Sequence, residues 1–120
     1  MSLQVSLARQ GPVLAVKGSG PANLADLKGF ADMMATVCRE EQLTHVLVDL
    51  LDVQQQLTFT EHLQLGVYLA ERLHFLTKMA SVVPEQMRSG NSERAAQKSG
   101  LQIRTFTDMG EARDWLKQPD

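Results

Sequence analysis

A chain of 120 residues fits one domain, residues 1–120, with a core large enough to need neither metals nor disulfides. Charged residues at 22% and hydrophobic ones at 43% exclude a disordered or membrane-spanning composition, and a net charge of −2 with scattered basic residues leaves no footprint for nucleic acid. One cysteine, Cys38, excludes an intrachain disulfide and a cysteine-built zinc cage, so the expected setting is reducing and cytoplasmic, with any membrane contact peripheral.

In chain order, Val5 and Leu7, then Val13, Leu14 and Val16, flank Gln10-Gly11-Pro12, a pattern that predicts two short strands joined by a tight turn. The second strand is expected to end at Lys17-Gly18-Ser19-Gly20-Pro21. From Asn23 the apolar residues Leu27, Phe30, Ala31, Met34, Val37 and Cys38 recur three and four apart, which predicts a helix to about Glu41. His45-Val46-Leu47-Val48-Asp49-Leu50 is an almost continuous apolar run, the mark of a strand covered on both faces. A polar loop is expected at 52–57. Thr58 and Glu61 then have capping-box spacing and open a helix to about Phe75 or Leu76.

Lys78 to Val83 reads as the next strand, stopped by Pro84. A polar loop follows over 85–92, then a short helix from Glu93 to Lys98 ended by Ser99-Gly100. Leu101 to Phe106 is the last strand, and Asp108 with Glu111 starts a final helix carrying Ala112, Trp115 and Leu116. The order ββαβαβαβα implies an α/β fold: a single mixed, mostly parallel sheet with an N-terminal hairpin and helices packed on it. Loops at the carboxyl ends of the strands are the expected functional surface.

Two stretches, Val46 to Val53 (VLVDLLDV) and Ile103 to Leu116 (IRTFTDMGEARDWL), together with the hairpin-first order, resemble the STAS fold of small bacterial proteins related to anti-sigma-factor antagonists. The resemblance is to the SpoIIAA-like, or STAS/SEC14-like, branch, and it covers nearly the whole chain. It implies a four- or five-stranded sheet, no catalysis and frequent dimers. In the anti-sigma branch it further implies a phosphorylated Ser or Thr. When Asp49-Leu50-Leu51-Asp52-Val53 is laid over that signature, the phosphoacceptor position falls on Thr58. Leu57, Phe59, Thr60 and Glu61 depart from the aspartate, small residue, glycine and leucine of the pattern. A capping role accounts for Thr58 without any partner.

The residues themselves carry little catalytic chemistry. Gly18-Ser19-Gly20 lies between a strand and a helix, but Asn23 stands at the third glycine position of a dinucleotide loop, so a plain turn is expected. His62 and His74 are roughly 18 Å apart along one helix, too far to share a metal ion, and His45 begins a strand. Cys38 on an apolar helix face reads as structural. Ser89, Asn91 and Ser92 could hold an anion at the third helix, with capping as the simpler role. Asp49 and Asp52 lack the partners of an acid–base pair, and no Ser-His-Asp elbow is present.

The second helix is more informative. Phe59, Leu63, Gly66, Val67, Ala70 and Leu73 form a stripe expected to pack on the sheet, while Leu65, Leu69 and Leu76 widen it and Tyr68 and Phe75 project from the far side. That excess apolar surface, with His62 in the first turn, makes Phe59, His62, Leu65, Tyr68, Leu69 and Leu76 the candidate ligand or interface residues. The expected function is a non-catalytic binding or interaction domain using this helix, the loop before it and residues 84–92. The expected partners are a second copy of the chain, a hydrophobic or lipid-like small molecule, or a membrane surface; no nucleic acid, metal or cofactor is expected. The alternative is an anti-sigma-antagonist-type regulator switched by phosphorylation at Thr58.

Overall fold

The computed structural model describes residues 3–87 and 90–120. Strands β1 (Gln4–Gln10) and β2 (Val13–Ala22) form the hairpin, closed at Gly11, whose φ of 63° suits glycine. Helix α1 (Leu24–Glu41) leads to β3 (His45–Gln55), α2 (Phe59–Leu73), β4 (Lys78–Val82), a 3-10 turn (Glu85–Met87), α3 (Asn91–Lys98), β5 (Ile103–Phe106) and α4 (Met109–Lys117). The sheet order is β1-β2-β3-β4-β5, antiparallel between β1 and β2 and parallel thereafter. This is the α/β fold with one mixed, mostly parallel sheet that the sequence predicts.

Strand alternation divides the core into two layers. Leu14, Val16, Val46, Val48, Met79 and Ile103 pack on one face with Leu27, Phe30 and Met34 of α1, Leu65, Leu69 and Leu73 of α2 and Ala96 of α3. Leu47, Ala80 and Val82 pack on the other face with Ala112 and Leu116 of α4. The starts of α1, α2 and α4 were legible. Thr58 Oγ1 accepts from the Glu61 N–H at 3.2 Å while the Thr58 N–H donates to Glu61 at 2.9 Å, and Asn23 with Asp26 does the same for α1. Asp108 accepts from the Glu111 N–H at the start of α4. Burial pushes the Cys38 thiol up to about 11, consistent with a structural cysteine.

Two strands are longer than the sequence implies. β2 runs through the expected Lys17-Gly18-Ser19-Gly20-Pro21 ending to Ala22, so Gly18-Ser19-Gly20 lies in a strand and not in a turn. β3 runs on to Gln55, so the expected 52–57 loop shrinks to residues 56–58. The cause is mutual pairing: beyond a register shift between Lys17 and Ser19, the two polar segments continue as one parallel ladder from Ser19↔Asp52 to Ala22↔Gln55. Val53 turns into the core there, and Gly18 makes room for it. A Cβ on Gly18 would lie 3.0 Å from both Phe30 Cε2 and Val53 Cγ2. At the other end of the chain, α2 stops at Leu73 and α3 begins two residues earlier than expected, at Asn91.

The lone helix on the second face is tied down by Lys78, a residue the sequence shows only as the start of a strand. Its buried ammonium donates to the Trp115 and Gln118 carbonyls at 2.8 and 2.7 Å, so the Trp115 oxygen, which already accepts from the Gln118 N–H, gains a second bond and the end of α4 is anchored to β4. The same group lies 5.2 Å from the centre of the Trp115 ring and 3.8 Å from the Asp120 carboxylate. Lys78→Met should keep the packing of the stem and lose both bonds. The expected cost is about 2 kcal/mol, read as a fall in Tm of roughly 6–10 °C, with faster amide exchange confined to α4.

Candidate functional site

On the three-helix face, where β3, β4 and β5 end, the helices do not close completely over the sheet. A cavity of about 90 Å³ lies between α1, α2, α3 and these strands. Most of its wall is apolar: Leu27, Phe30 and Met34 from α1, Leu65 and Leu69 from α2, Met79 and Ile103 from β4 and β5, and Val83 just after β4. A polar sector interrupts it, made by Gln55, His62, Ser81, Ser92, Glu93 and Thr105.

The polar sector is internally bonded. Ser81 Oγ and Thr105 Oγ1 of neighbouring strands are 3.1 Å apart, the Thr105 N–H donates to the Glu93 carboxylate, and Gln97 Nε2 donates to the Ile103 carbonyl at 2.7 Å. These contacts fix α3 against β5. Across the helices, Ser92 Oγ donates to the His62 carbonyl at 2.9 Å and lies 3.1 Å from His62 Nδ1. Because the hydroxyl has a single hydrogen, already given to the carbonyl, the network assigns the proton of the ring to Nδ1 and leaves Nε2 as an acceptor. Burial holds the imidazole below its usual range, against a smaller upward pull from Glu61.

Beside the His62–Ser92 bonds, α2 and α3 also approach closely at Gly66. A Cβ there would lie 2.4 Å from the Ser92 carbonyl oxygen and 2.7 Å from Ala95 Cβ. On its other flank α2 is held to α1 by the Tyr68 hydroxyl, which donates to Asp32 at 2.6 Å, and by Arg72, whose Nε lies 2.9 Å from the same carboxylate. The hydrogen bond to Asp32 is the main reason the Tyr68 hydroxyl titrates above its ordinary range.

The structure therefore distributes the residues singled out by sequence. His62, Leu65 and Leu69 line the cavity, Leu76 is in the main core, Tyr68 joins α2 to α1, and Thr58 is an exposed N-cap. The apolar excess expected at Leu65, Leu69 and Leu76 corresponds to buried positions. On α2 the exposed large apolar residues are instead Phe59 at 63%, Leu63 at 38% and Val67 at 43%, three of those expected to pack on the sheet. α2 is rotated relative to that expectation because its apolar arc is wider than one neighbour can cover, and contact at Gly66 decides which part turns inward. Of the 84–92 segment, Ser92 is committed to His62, and Ser89 lies outside the described residues. Ser81, Glu93 and Thr105 were missed. Nothing local marks them, since a strand serine and threonine and a first-turn glutamate are ordinary until the sheet register brings them together.

Helices over both faces of a hairpin-led sheet, with a pocket at its carboxyl edge, place this chain among the STAS-type α/β domains. It belongs to the SpoIIAA-like family, whose model matches residues 13–117. Among solved structures, it is similar to an anti-sigma factor antagonist from Mycobacterium paratuberculosis, with a TM-score of 0.64 and 15% identity over 98% of this chain and 96% of that one. It is also similar to an uncharacterized protein of the DUF3478 family with a SpoIIAA-like fold from Shewanella loihica PV-4, with a TM-score of 0.60 and 17% identity over 96% and 93% of the two chains. At these identities the likeness is one of fold. No curated protein matches the chain by sequence.

Two measurements test this account of the site. Gly66→Ala should drive α2 from α3 and cost about 1–3 kcal/mol in denaturant unfolding, because the obstructing oxygen is backbone and cannot swing aside. The lowered pKa of His62 gives a stability contribution present above pH 6.5, the value in the unfolded chain, and lost as the pH falls through the lower folded value. His62→Gln should accordingly lose less stability than the parent between about pH 7.5 and 5. Parallel pH profiles for the two proteins would contradict it.

Proposed function

We propose that this chain is a non-catalytic interaction domain whose outer α2 face binds a second polypeptide, in the first instance another copy of itself. One observation carries the reading: Phe59, Leu63 and Val67 recur every four residues along the solvent side of α2, forming an exposed apolar ridge that begins directly after the short β3–α2 loop. Between them Thr60 and Gln64 are uncharged, so two antiparallel copies of the ridge meet with Leu63 near the axis and Phe59 opposite Val67 without opposing like charges. The resemblance in fold to an anti-sigma factor antagonist, a protein named for acting on another protein, supports the same reading.

A membrane surface fits this face less well. Lipid-binding helices carry rows of Lys and Arg beside the apolar stripe, whereas the shallow groove along α2 has one base, Lys28, and one acid, Glu71. A phosphoswitch at Thr58 is the second reading, favoured by the exposure of that residue at the helix N-cap. Its hydroxyl already accepts from the Glu61 N–H, and the Glu61 carboxylate beside it would oppose an added phosphate.

Sedimentation velocity over a concentration series is the direct check. The parent should dimerise with increasing concentration, while the double variant Phe59→Ser, Leu63→Ser should stay monomeric and keep its stability to within about 1 kcal/mol, since both side chains are exposed. A parent that stays monomeric at every concentration would remove self-association. Loss of the dimer in Thr58→Asp alone would favour the phosphoswitch.

A further inference from the structure

The cavity beneath α2 is separate from the exposed ridge, and its chemistry points to a different kind of ligand. Its polar sector is rich in acceptors. Among the described residues no lysine or arginine lines it, and the one carboxylate in its wall is that of Glu93. His62 presents an acceptor at Nε2, as the Ser92 network requires. Ser81 and Thr105 share one hydrogen bond between two hydroxyls, so each has a free lone pair for an incoming donor. Among the described residues of the wall, an anionic head such as a carboxylate or phosphate would meet only Glu93 and neutral groups, and like charge in a partly enclosed site is strongly unfavourable.

We propose that this cavity is a binding site for a short primary alkylamine, its ammonium group donating to the Glu93 carboxylate and the Ser81–Thr105 hydroxyls and its alkyl chain lying among Leu65, Leu69 and Met79. Size sets the length. An apolar cavity of about 150 Å³ accommodates benzene, so one of about 90 Å³ takes a chain of roughly four heavy atoms, with anything longer projecting through the mouth. A lipid tail would require α2 and α3 to separate, which their contact at Gly66 opposes.

The test uses three probes of equal length, n-butylamine, n-butanol and butyrate, titrated into the intact protein at pH 7 and constant ionic strength and followed by amide chemical shifts in two-dimensional NMR. Saturating shifts are expected at Glu93, Thr105 and Leu69, with butylammonium half-saturating about five- to tenfold below butanol, the gain of a charge-assisted hydrogen bond, and butyrate failing to saturate. Glu93→Gln keeps an acceptor for the Thr105 N–H and should equalise the amine and the alcohol while still binding both. Butyrate binding as tightly as the amine, an amine preference that persists in Glu93→Gln, or no saturable binding by any probe would each overturn the proposal. If Glu93→Gln does not fold, the ranking of the three probes on the parent protein decides.

Discussion

The handedness of the parallel crossovers is the constraint on which the rest of this structure depends. With the strands in the order β1-β2-β3-β4-β5, each right-handed connection places its helix on the same side, so α1, α2 and α3 crowd one face of the sheet. Only α4, which follows the last strand, can reach the other side. The two faces therefore have different problems. One must fit three helices of different lengths over a twisted sheet; the other must hold a nine-residue helix that has no helical neighbour. The buried ammonium of Lys78, bonded to the last carbonyls of α4, answers the second problem.

The first problem is solved by local close approach, and the cavity is its by-product. Gly66 lets α2 and α3 touch backbone to backbone, and the Asp32–Tyr68–Arg72 group holds α2 to α1. Helices fixed at these two contacts cannot also settle onto the strand ends, and α3, only eight residues long, does not cover what remains. The space left is polar on the side where Ser81 and Thr105 come from adjacent strands, and apolar elsewhere. The same rotation of α2 that buries Leu65 and Leu69 turns Phe59, Leu63 and Val67 outward. One helix thus borders an internal cavity and carries an external ridge on its opposite side.

The legible parts of the fold were those set by near neighbours in sequence. The pairs Thr58–Glu61 and Asp108–Glu111 have the spacing of helix caps, and α2 and α4 start where those pairs fall, as α1 starts where helical spacing begins after Asn23. The apolar run at Val46 to Val48 alternates between the two core layers, as a strand covered on both faces must. The strand ends were not legible, because Gly18 to Ala22 and Asp52 to Gln55 are poor strand sequences that pair only because each finds the other. In the candidate site, Leu65 and Leu69 could be named from the width of the apolar arc on α2 and His62 from its place in the first turn beside the loop, but Glu93, Ser81 and Thr105 could not.

The sequence alone determined the element order, the mixed sheet and the family, since periodicity, caps and turn residues act within a few positions of one another. Tertiary structure decided which side of α2 faces inward, where the cavity opens and which polar groups share it. Those outcomes depend on contacts between residues far apart in sequence, such as Gly66 against Ser92–Ala96 and Tyr68 against Asp32, or on strand register. No local pattern specifies them, because the energy that selects them exists only when the helices are already on the sheet.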